Sequence, residues 1–160
     1  MKKLIFVTIF PILAACAGMF APPPAPGTPA DAVRAQLGRP TATYPNGPDT
    51  MLEYAYGPSG QYTFMARIGP DGRLISYEQV LSSEKFGTVK PGKDNKETIL
   101  RTFGRPARVT HYASVEGDVW EYRYKEQNVW DSVMSVEFDR GGVVQAMVNG
   151  PDPEREMRRR

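Results

Sequence analysis

The feature that most restricts how this chain can fold is a short segment that occurs twice. The segment "AVRAQLGRP" at residues 32–40 returns as "TILRTFGRP" at residues 98–106. In each copy two apolar residues stand four positions apart, which is the spacing of one helix face. Glycine and proline follow, and they end helices because glycine accepts a left-handed backbone and proline lacks an amide donor. The pattern predicts two short amphipathic helices, with Thr28 and Asn95 as candidate N-terminal caps.

A strand pattern follows each predicted helix. The stretch "LEYAY" (residues 52–56) is matched by "WEYRY" (residues 120–124), and both alternate large apolar residues with small or charged ones, as half-buried strands do. Glycine-containing turns at 71–72 and 141–142 then separate two further apolar runs in each copy, which is typical of a β-hairpin. The offset between the copies grows from 66 residues at the helices to 68 and 70 in the later motifs. This drift falls in predicted loops, where insertions cost little.

Together these motifs predict an α+β fold of two tandem helix-plus-antiparallel-strand units, with the helices packed on one face of a curved antiparallel sheet. The units are residues 30–81 and 94–149, the linker between them is 82–93, and a basic, flexible tail covers 150–160. Chance similarity between two α+β pieces is the alternative, but three motifs in the same order favour duplication. The tail is interpreted as a solvated terminus, with contact to anionic lipid as the alternative.

The amino terminus has the organisation of a secretory signal peptide. Lys2 and Lys3 precede an apolar run over residues 4–13, which is too short for a helix that stays across a bilayer core of ~30 Å. Small residues then lead to Cys16, the only cysteine of the chain. A charged start, a short apolar centre and a small-residue exit predict a cleaved signal peptide at residues 1–15.

The stretch "LAAC" at residues 13–16 resembles the bacterial lipobox. At such a site Cys16 carries fatty acids such as palmitate, and more than one acyl chain anchors a protein stably in a membrane. The alternative is an ordinary signal peptide that happens to contain a cysteine. Ala17 stands where aspartate favours retention in the inner membrane, so we expect a lipid-anchored protein of the outer membrane that faces the periplasm. Residues 16–29 are rich in proline and predict an extended tether.

The composition argues against several classes of function. Loss of Lys2 and Lys3 with the signal peptide reduces the 20 basic residues to 18, which balances the 18 acidic residues. A chain without excess positive charge is not expected to bind nucleic acid. An acylated thiol is unavailable as a nucleophile, His111 is the single histidine, and the sequence has neither a G-x-S-x-G motif nor a metal-ligand cluster. We predict a protein that is not an enzyme, without catalytic residues, metal or cofactor.

Two glutamates occupy equivalent positions in the strand motifs, Glu53 and Glu121. Paired carboxylates serve acid–base chemistry when they share a site, but no other residue supports that function here. We interpret both as solvated charges on strand faces.

Aromatic residues are the candidates for contact with a partner, because tyrosine and tryptophan dominate protein interfaces. Those in the strand motifs are core if the helices cover their face and a binding surface if the face is open. Their alternating pattern favours core. Aromatic residues in predicted loops are better candidates for contact. The candidate binding residues are Tyr62 and Trp130, in loops, and Tyr56 and Tyr124, in the strand motifs.

These features in combination resemble the SmpA/OmlA (BamE-like) family of outer-membrane lipoproteins. The resemblance is carried by the lipobox, the tether, the helix that ends in "LG-x-P" and the tyrosine-rich strand before a "DG" hairpin, with the unit present twice. The closer match is "VKPGKDNKETILRTFGRP" at residues 89–106, which lacks the threonine or serine of the family's usual helix start. The tandem arrangement is similar to the β-lactamase-inhibitor-protein fold, in which two such units form one curved sheet backed by helices.

The resemblance implies a non-enzymatic periplasmic scaffold or accessory factor in outer-membrane protein assembly and envelope integrity. The implied partners are outer-membrane lipid, through acylated Cys16, and a periplasmic or outer-membrane protein. The alternative is an inhibitor or sensor module that grasps another protein with a concave sheet. A carrier of small hydrophobic ligands would need an enclosed apolar pocket, which two thin layers rarely provide.

Overall fold

The computed structural model describes residues 22–57 and 60–157. The predicted signal peptide, Cys16 and the last three residues of the predicted tail lie outside the described residues.

The described residues form two four-stranded antiparallel sheets and four short helices. Sheet 1 has the order β1-β2-β3-β4 and sheet 2 has the order β5-β6-β7-β8, so each sheet is a meander of neighbouring strands. The first half contains α1 (Ala30–Leu37), β1 (Ala42–Asn46), β2 (Asp49–Tyr56), β3 (Tyr62–Ile68) and β4 (Leu74–Gln79). The second half contains α2 (Ser83–Phe86), α3 (Lys96–Phe103), β5 (Arg108–Thr110), β6 (Val119–Glu126), β7 (Trp130–Phe138), β8 (Val144–Pro151) and α4 (Pro153–Met157).

Both predicted amphipathic helices are present, and only one has the predicted cap. Asn95 accepts a hydrogen bond from the Thr98 amide (3.0 Å), and this cap satisfies one of the free donors of the first turn of α3. In α1 the N-cap position is Pro29, which has no capping side chain. The hydroxyl of Thr28 instead donates to the carbonyl of Ala25 (2.7 Å), so the prediction for Thr28 is wrong.

The α+β class is confirmed, but the strands form two sheets rather than one curved sheet. The two long helices also belong to separate core clusters. Val33 of α1 packs with Leu52 and Ala66 of sheet 1. Phe103 of α3 packs with residues of sheet 2 and with Met65, which lies on the other face of sheet 1. Sheet 1 therefore has apolar residues buried on both faces, and a layout with all helices on one face of a single sheet is not confirmed.

The segments predicted to be irregular carry structure of their own. The linker 82–93 contains α2, whose buried Phe86 stacks on Phe103 with ring centroids 4.8 Å apart. In the described part of the tether, the carbonyl of Pro22 accepts a hydrogen bond from Gln36 Nε2 (2.6 Å) and Pro24 is buried. Residues 22–29 therefore lie against the folded body.

The tail also contains structure within the described residues. Asp152 is buried at the start of α4, and both Asp152 and Glu154 form ion pairs with Arg123 of β6. Within residues 22–57 and 60–157, none of the helices has both the length and the apolar character needed to cross a membrane.

Candidate functional site

A cavity of about 410 Å³ opens at one end of sheet 2, between the β6–β7 hairpin, the end of β8 and α4. We call it the Trp130 pocket, after the aromatic residue in its wall. Trp130 is 61% exposed, and the neighbouring Val129 is equally exposed. Its polar lining includes Glu126, Asp131, Asn149, Asp152 and Arg155.

The hairpin turn explains why Trp130 is presented at this end of the sheet. Gln127 and Asn128 both have positive φ angles, 50° and 59°, a conformation that asparagine tolerates better than most residues. The chain therefore reverses within residues 127–129, and Trp130 becomes the first residue of β7, paired with Glu126. Trp130 lies at the tip of a strand rather than in the loop that the sequence predicted.

Asp131 is held by partners from both sheets. Its Oδ1 accepts a hydrogen bond from Gln61 Nε2 (2.7 Å), and the same atom lies 2.8 Å from Lys125 Nζ. Gln61 directly precedes β3 and is buried, so this contact joins sheet 1 to the pocket. The hydrogen bond from Lys125, and then the one from Gln61, lower the pKa of the Asp131 carboxyl.

The other two carboxylates of the pocket are engaged in different ways. Glu126 accepts hydrogen bonds from Ser132 Oγ (2.8 Å) and Asn149 Nδ2 (3.1 Å). The carboxyl of Asp152 is 1% exposed, and its Oδ2 lies 3.6 Å from Arg123 Nε. These contacts fix the polar wall, while the indole of Trp130 stays largely in solvent.

The lowered pKa of Asp131 predicts a contribution to folding stability that depends on pH. A carboxyl with a lowered pKa in the folded state stabilises the protein above its unfolded value of about 3.9, and this stabilisation is lost as the pH falls through the folded pKa. We expect Asp131→Asn to be less stable than wild type at pH 7 in urea denaturation. The difference should shrink as the pH falls below about 4.

The control for this prediction is Asp31→Asn, because the side chain of Asp31 is fully exposed. It should differ little from wild type at either pH. A constant difference between Asp131→Asn and wild type from pH 7 down to acid would contradict the prediction.

The structure does not bring the four predicted contact residues together. Tyr56 and Tyr62 are cross-strand partners on sheet 1, where Tyr56 is 40% exposed and Tyr62 is half-buried. Trp130 lies on sheet 2. Tyr124 has no exposed surface, because Phe86 packs against its ring with centroids 5.0 Å apart. Tyr124 is therefore a core residue and leaves the set of candidate contact residues.

Sheet 1 presents a second aromatic surface beside α1, which we call the sheet 1 aromatic face (Tyr54, Tyr56, Phe64 and Tyr77). Phe64 stacks on Tyr77 with centroids 5.0 Å apart, and Tyr56 contacts the edge of Phe64 at 5.9 Å. Tyr54 is buried, yet its hydroxyl has no hydrogen-bond partner among the described residues. Burial raises the pKa of both Tyr54 and Tyr77.

The interpretation of Glu53 as a solvated charge is wrong. Glu53 is 1% exposed and accepts hydrogen bonds from the Tyr44 hydroxyl (2.6 Å) and the Arg105 amide (3.3 Å). The loop after α3 covers this face of sheet 1, which the alternation of a single strand does not reveal. Burial, and then the contact with Glu53, raise the pKa of Tyr44.

Glu121 is also buried and was misinterpreted in the same way. It pairs with Arg108 Nη2 (2.7 Å) and accepts a hydrogen bond from the Tyr112 hydroxyl (3.1 Å). Glu53 and Glu121 thus belong to separate hydrogen-bond groups. The sequence signal that marks them is a glutamate enclosed by large apolar residues at the same place in both copies.

Within the described residues, no group of three or more histidine, cysteine, aspartate or glutamate side chains could hold a metal ion. His111 is exposed and pairs with Asp118, with Nδ1 and Oδ1 3.1 Å apart. The hydrogen bond from Lys96 lowers the pKa of Asp118. These residues form a surface ion-pair group.

The chain was also compared with known proteins. No protein-family model, no curated protein and no solved structure matches it.

Proposed function

We propose that this chain is an outer-membrane lipoprotein, a non-enzymatic periplasmic scaffold or accessory factor in outer-membrane protein assembly and envelope integrity. Acylated Cys16 would hold it to outer-membrane lipid, and a periplasmic or outer-membrane protein would bind its folded body. The observation that carries the proposal is the Trp130 pocket.

An exposed tryptophan beside a structured polar wall has the anatomy of a protein-interaction site. Trp130 and Val129 leave large apolar area in solvent, and covering such area is favourable by roughly 25 cal/mol per Å². The polar residues around them are held by hydrogen bonds and ion pairs. Binding energy at protein interfaces concentrates in aromatic residues of this kind, with a polar rim around them.

We also propose that the two halves are copies of one helix-plus-four-strand unit. The backbone connections at the helix starts support this. The amide of Ala30 donates to the carbonyl of Gly72 (2.9 Å), and the amide of Lys96 donates to the carbonyl of Gly142 (3.0 Å). In both halves, the first turn of the helix is therefore bonded to the turn of the last hairpin.

Irregular features support duplication more strongly, because regular pairing alone does not require them. The register shifts between residues 67 and 68 in sheet 1 and between residues 137 and 138 in sheet 2. The glycines that end α1 and α3 share a rare conformation, with φ and ψ of 85° and −165° at Gly38 and 80° and −161° at Gly104.

Substitution of Trp130 tests the proposed function. The full chain would be purified from detergent-solubilised outer membranes after crosslinking, as wild type and as Trp130→Ala. We expect wild type to recover subunits of the β-barrel assembly machinery. We expect Trp130→Ala to lose most of this recovery, because hot-spot residues contribute ≥ ~2 kcal/mol each.

The matched control is Ile75→Ala, which shortens another exposed apolar side chain, on sheet 1. It should recover the same proteins as wild type. Absence of assembly subunits from the wild-type sample would overturn the proposed function. Recovery of a periplasmic hydrolase in their place would favour the inhibitor or sensor alternative.

A further inference from the structure

The two halves differ in what covers the aromatic face of the sheet. In sheet 2, Phe86 of α2 packs over Tyr122 and Tyr124, with ring centroids 6.2 Å and 5.0 Å away. The hydroxyl of Ser83, also in α2, lies 3.3 Å from the Tyr124 hydroxyl. The segment that precedes α3 therefore closes this face and supplies a polar partner to it.

The equivalent face of sheet 1 is incomplete. Tyr54 and Tyr56 stand in the strand motif where Tyr122 and Tyr124 stand in the other copy. Tyr122 donates to a backbone carbonyl at 2.9 Å, whereas the hydroxyl of Tyr54 is buried without a partner among the described residues. Tyr124 has no exposed surface, whereas Tyr56 is 40% exposed. Sheet 1 thus lacks, within the described residues, the cover that α2 gives to sheet 2.

The chain carries a matching aromatic residue at the corresponding place before α1. Phe20 precedes Val33 by 13 residues, as Phe86 precedes Ile99. The segment "PG" at 26–27 and 91–92 has an offset one residue smaller, so the two phenylalanines correspond to within one position. An irregular segment accommodates a difference of one residue.

The described chain next to Phe20 already runs along the helix that packs on this face. The carbonyl of Pro22 accepts a hydrogen bond from Gln36 of α1, and Pro24 is buried. Two residues separate Phe20 from Pro22, and an extended chain covers ~3.3–3.6 Å per residue. Phe20 is therefore within about 7 Å of chain from an anchored position, before the length of its own side chain is added.

We propose that the sheet 1 aromatic face is the docking site of residues 17–21 of this same chain, with the ring of Phe20 on Tyr56 and Tyr77. A backbone carbonyl of the segment is then available to the unpartnered hydroxyl of Tyr54. The consequence concerns the membrane. The tether between acylated Cys16 and the folded body shrinks from the 14 residues at 16–29 to the few before Phe20, so the body is held close to the lipid surface.

A photo-crosslink from position 20 tests the contact directly. Benzoylphenylalanine replaces Phe20 in the full chain, which is expressed in a bacterial envelope, irradiated and digested for mass spectrometry. We expect an intramolecular crosslink to the peptides that contain Tyr56 or Tyr77. A crosslink to lipid alone, to another protein, to a second copy of the chain or to no partner would overturn the proposal.

A footprint of the tyrosines gives a second measurement that needs no bulky probe. Hydroxyl-radical modification would be measured in detergent for wild type and for Phe20→Ala. We expect modification of Tyr56 to rise several-fold in Phe20→Ala, because its ring loses its cover, while Tyr112 on sheet 2 stays unchanged. Met19→Ala is the matched control and should give the wild-type pattern. Equal modification of Tyr56 in wild type and Phe20→Ala would overturn the docking of Phe20.

Discussion

A Cys16→Ser variant is expected to lose its fatty acids and to move from the membrane fraction to the soluble periplasmic fraction. Serine has no thiol to acylate, and each buried methylene of an acyl chain contributes about 0.8 kcal/mol to membrane binding. Loss of the chains therefore removes the whole anchor, which makes this the largest effect that we predict. Incorporation of radiolabelled palmitate and fractionation of the cell envelope measure it.

The control for this prediction is Ala17→Asp, which keeps the acylated cysteine and changes the residue after it. It should incorporate palmitate as wild type does and remain in a membrane fraction, with a shift toward the inner membrane. If wild type incorporates no palmitate, or if Cys16→Ser fractionates as wild type does, the anchoring hypothesis is wrong.

The second large effect is a loss of folding stability in Gly104→Ala. The backbone of Gly104 has φ 80° and ψ −161°, a region in which residues with a Cβ are strained by roughly 1–3 kcal/mol. A Cβ there would also lie 2.6 Å from Cδ of the buried Glu53. Glu53 has nowhere to move without loss of its hydrogen bonds to Tyr44 and Arg105, which adds about 1–3 kcal/mol.

Gly38→Ala is an internal control for this substitution, because Gly38 ends α1 in almost the same conformation. A Cβ at Gly38 would meet no atom within 4 Å, so this variant carries the backbone strain without the clash. We expect urea denaturation to give both variants a lower free energy of unfolding than wild type, with the larger loss in Gly104→Ala. Equal losses would contradict the clash with Glu53.

A double substitution separates the clash from other effects at this position. In a Glu53→Ala background the carboxyl that blocks the new Cβ is absent. Gly104→Ala should therefore be less destabilising there than in wild type, and the two changes should be non-additive because the residues are in contact. Additive losses would mean that the destabilisation arises elsewhere.

The parts of the fold that depend on neighbouring residues could be predicted from the sequence. The helix over Lys96–Phe103 begins at the capping side chain of Asn95 and ends at Gly104, and each of these signals acts within one helical turn. The alternation of the strand motifs likewise placed Tyr54 and Tyr122 in the core, where both are buried. Local hydrogen bonds and side-chain period are properties of a short segment.

The candidate site was predictable only in part. Trp130 was predicted to be available for contact, and it is exposed. Tyr124 occupies the same strand position as Tyr56, so the sequence pattern treats the two alike. The structure separates them, because Phe86 covers Tyr124 and no described residue covers Tyr56 to the same extent.

By itself, the sequence determined where the helices end, which strand residues alternate and which motifs occur twice, because each depends on residues close together in the chain. Only the tertiary structure decided that the strands divide into two sheets and that Glu53 and Glu121 are buried. The physical reason is that a strand's own alternation shows which residues share a face but not what packs against that face. What covers a face is set by segments far away in the chain, such as the loop after α3 that reaches Glu53 of β2.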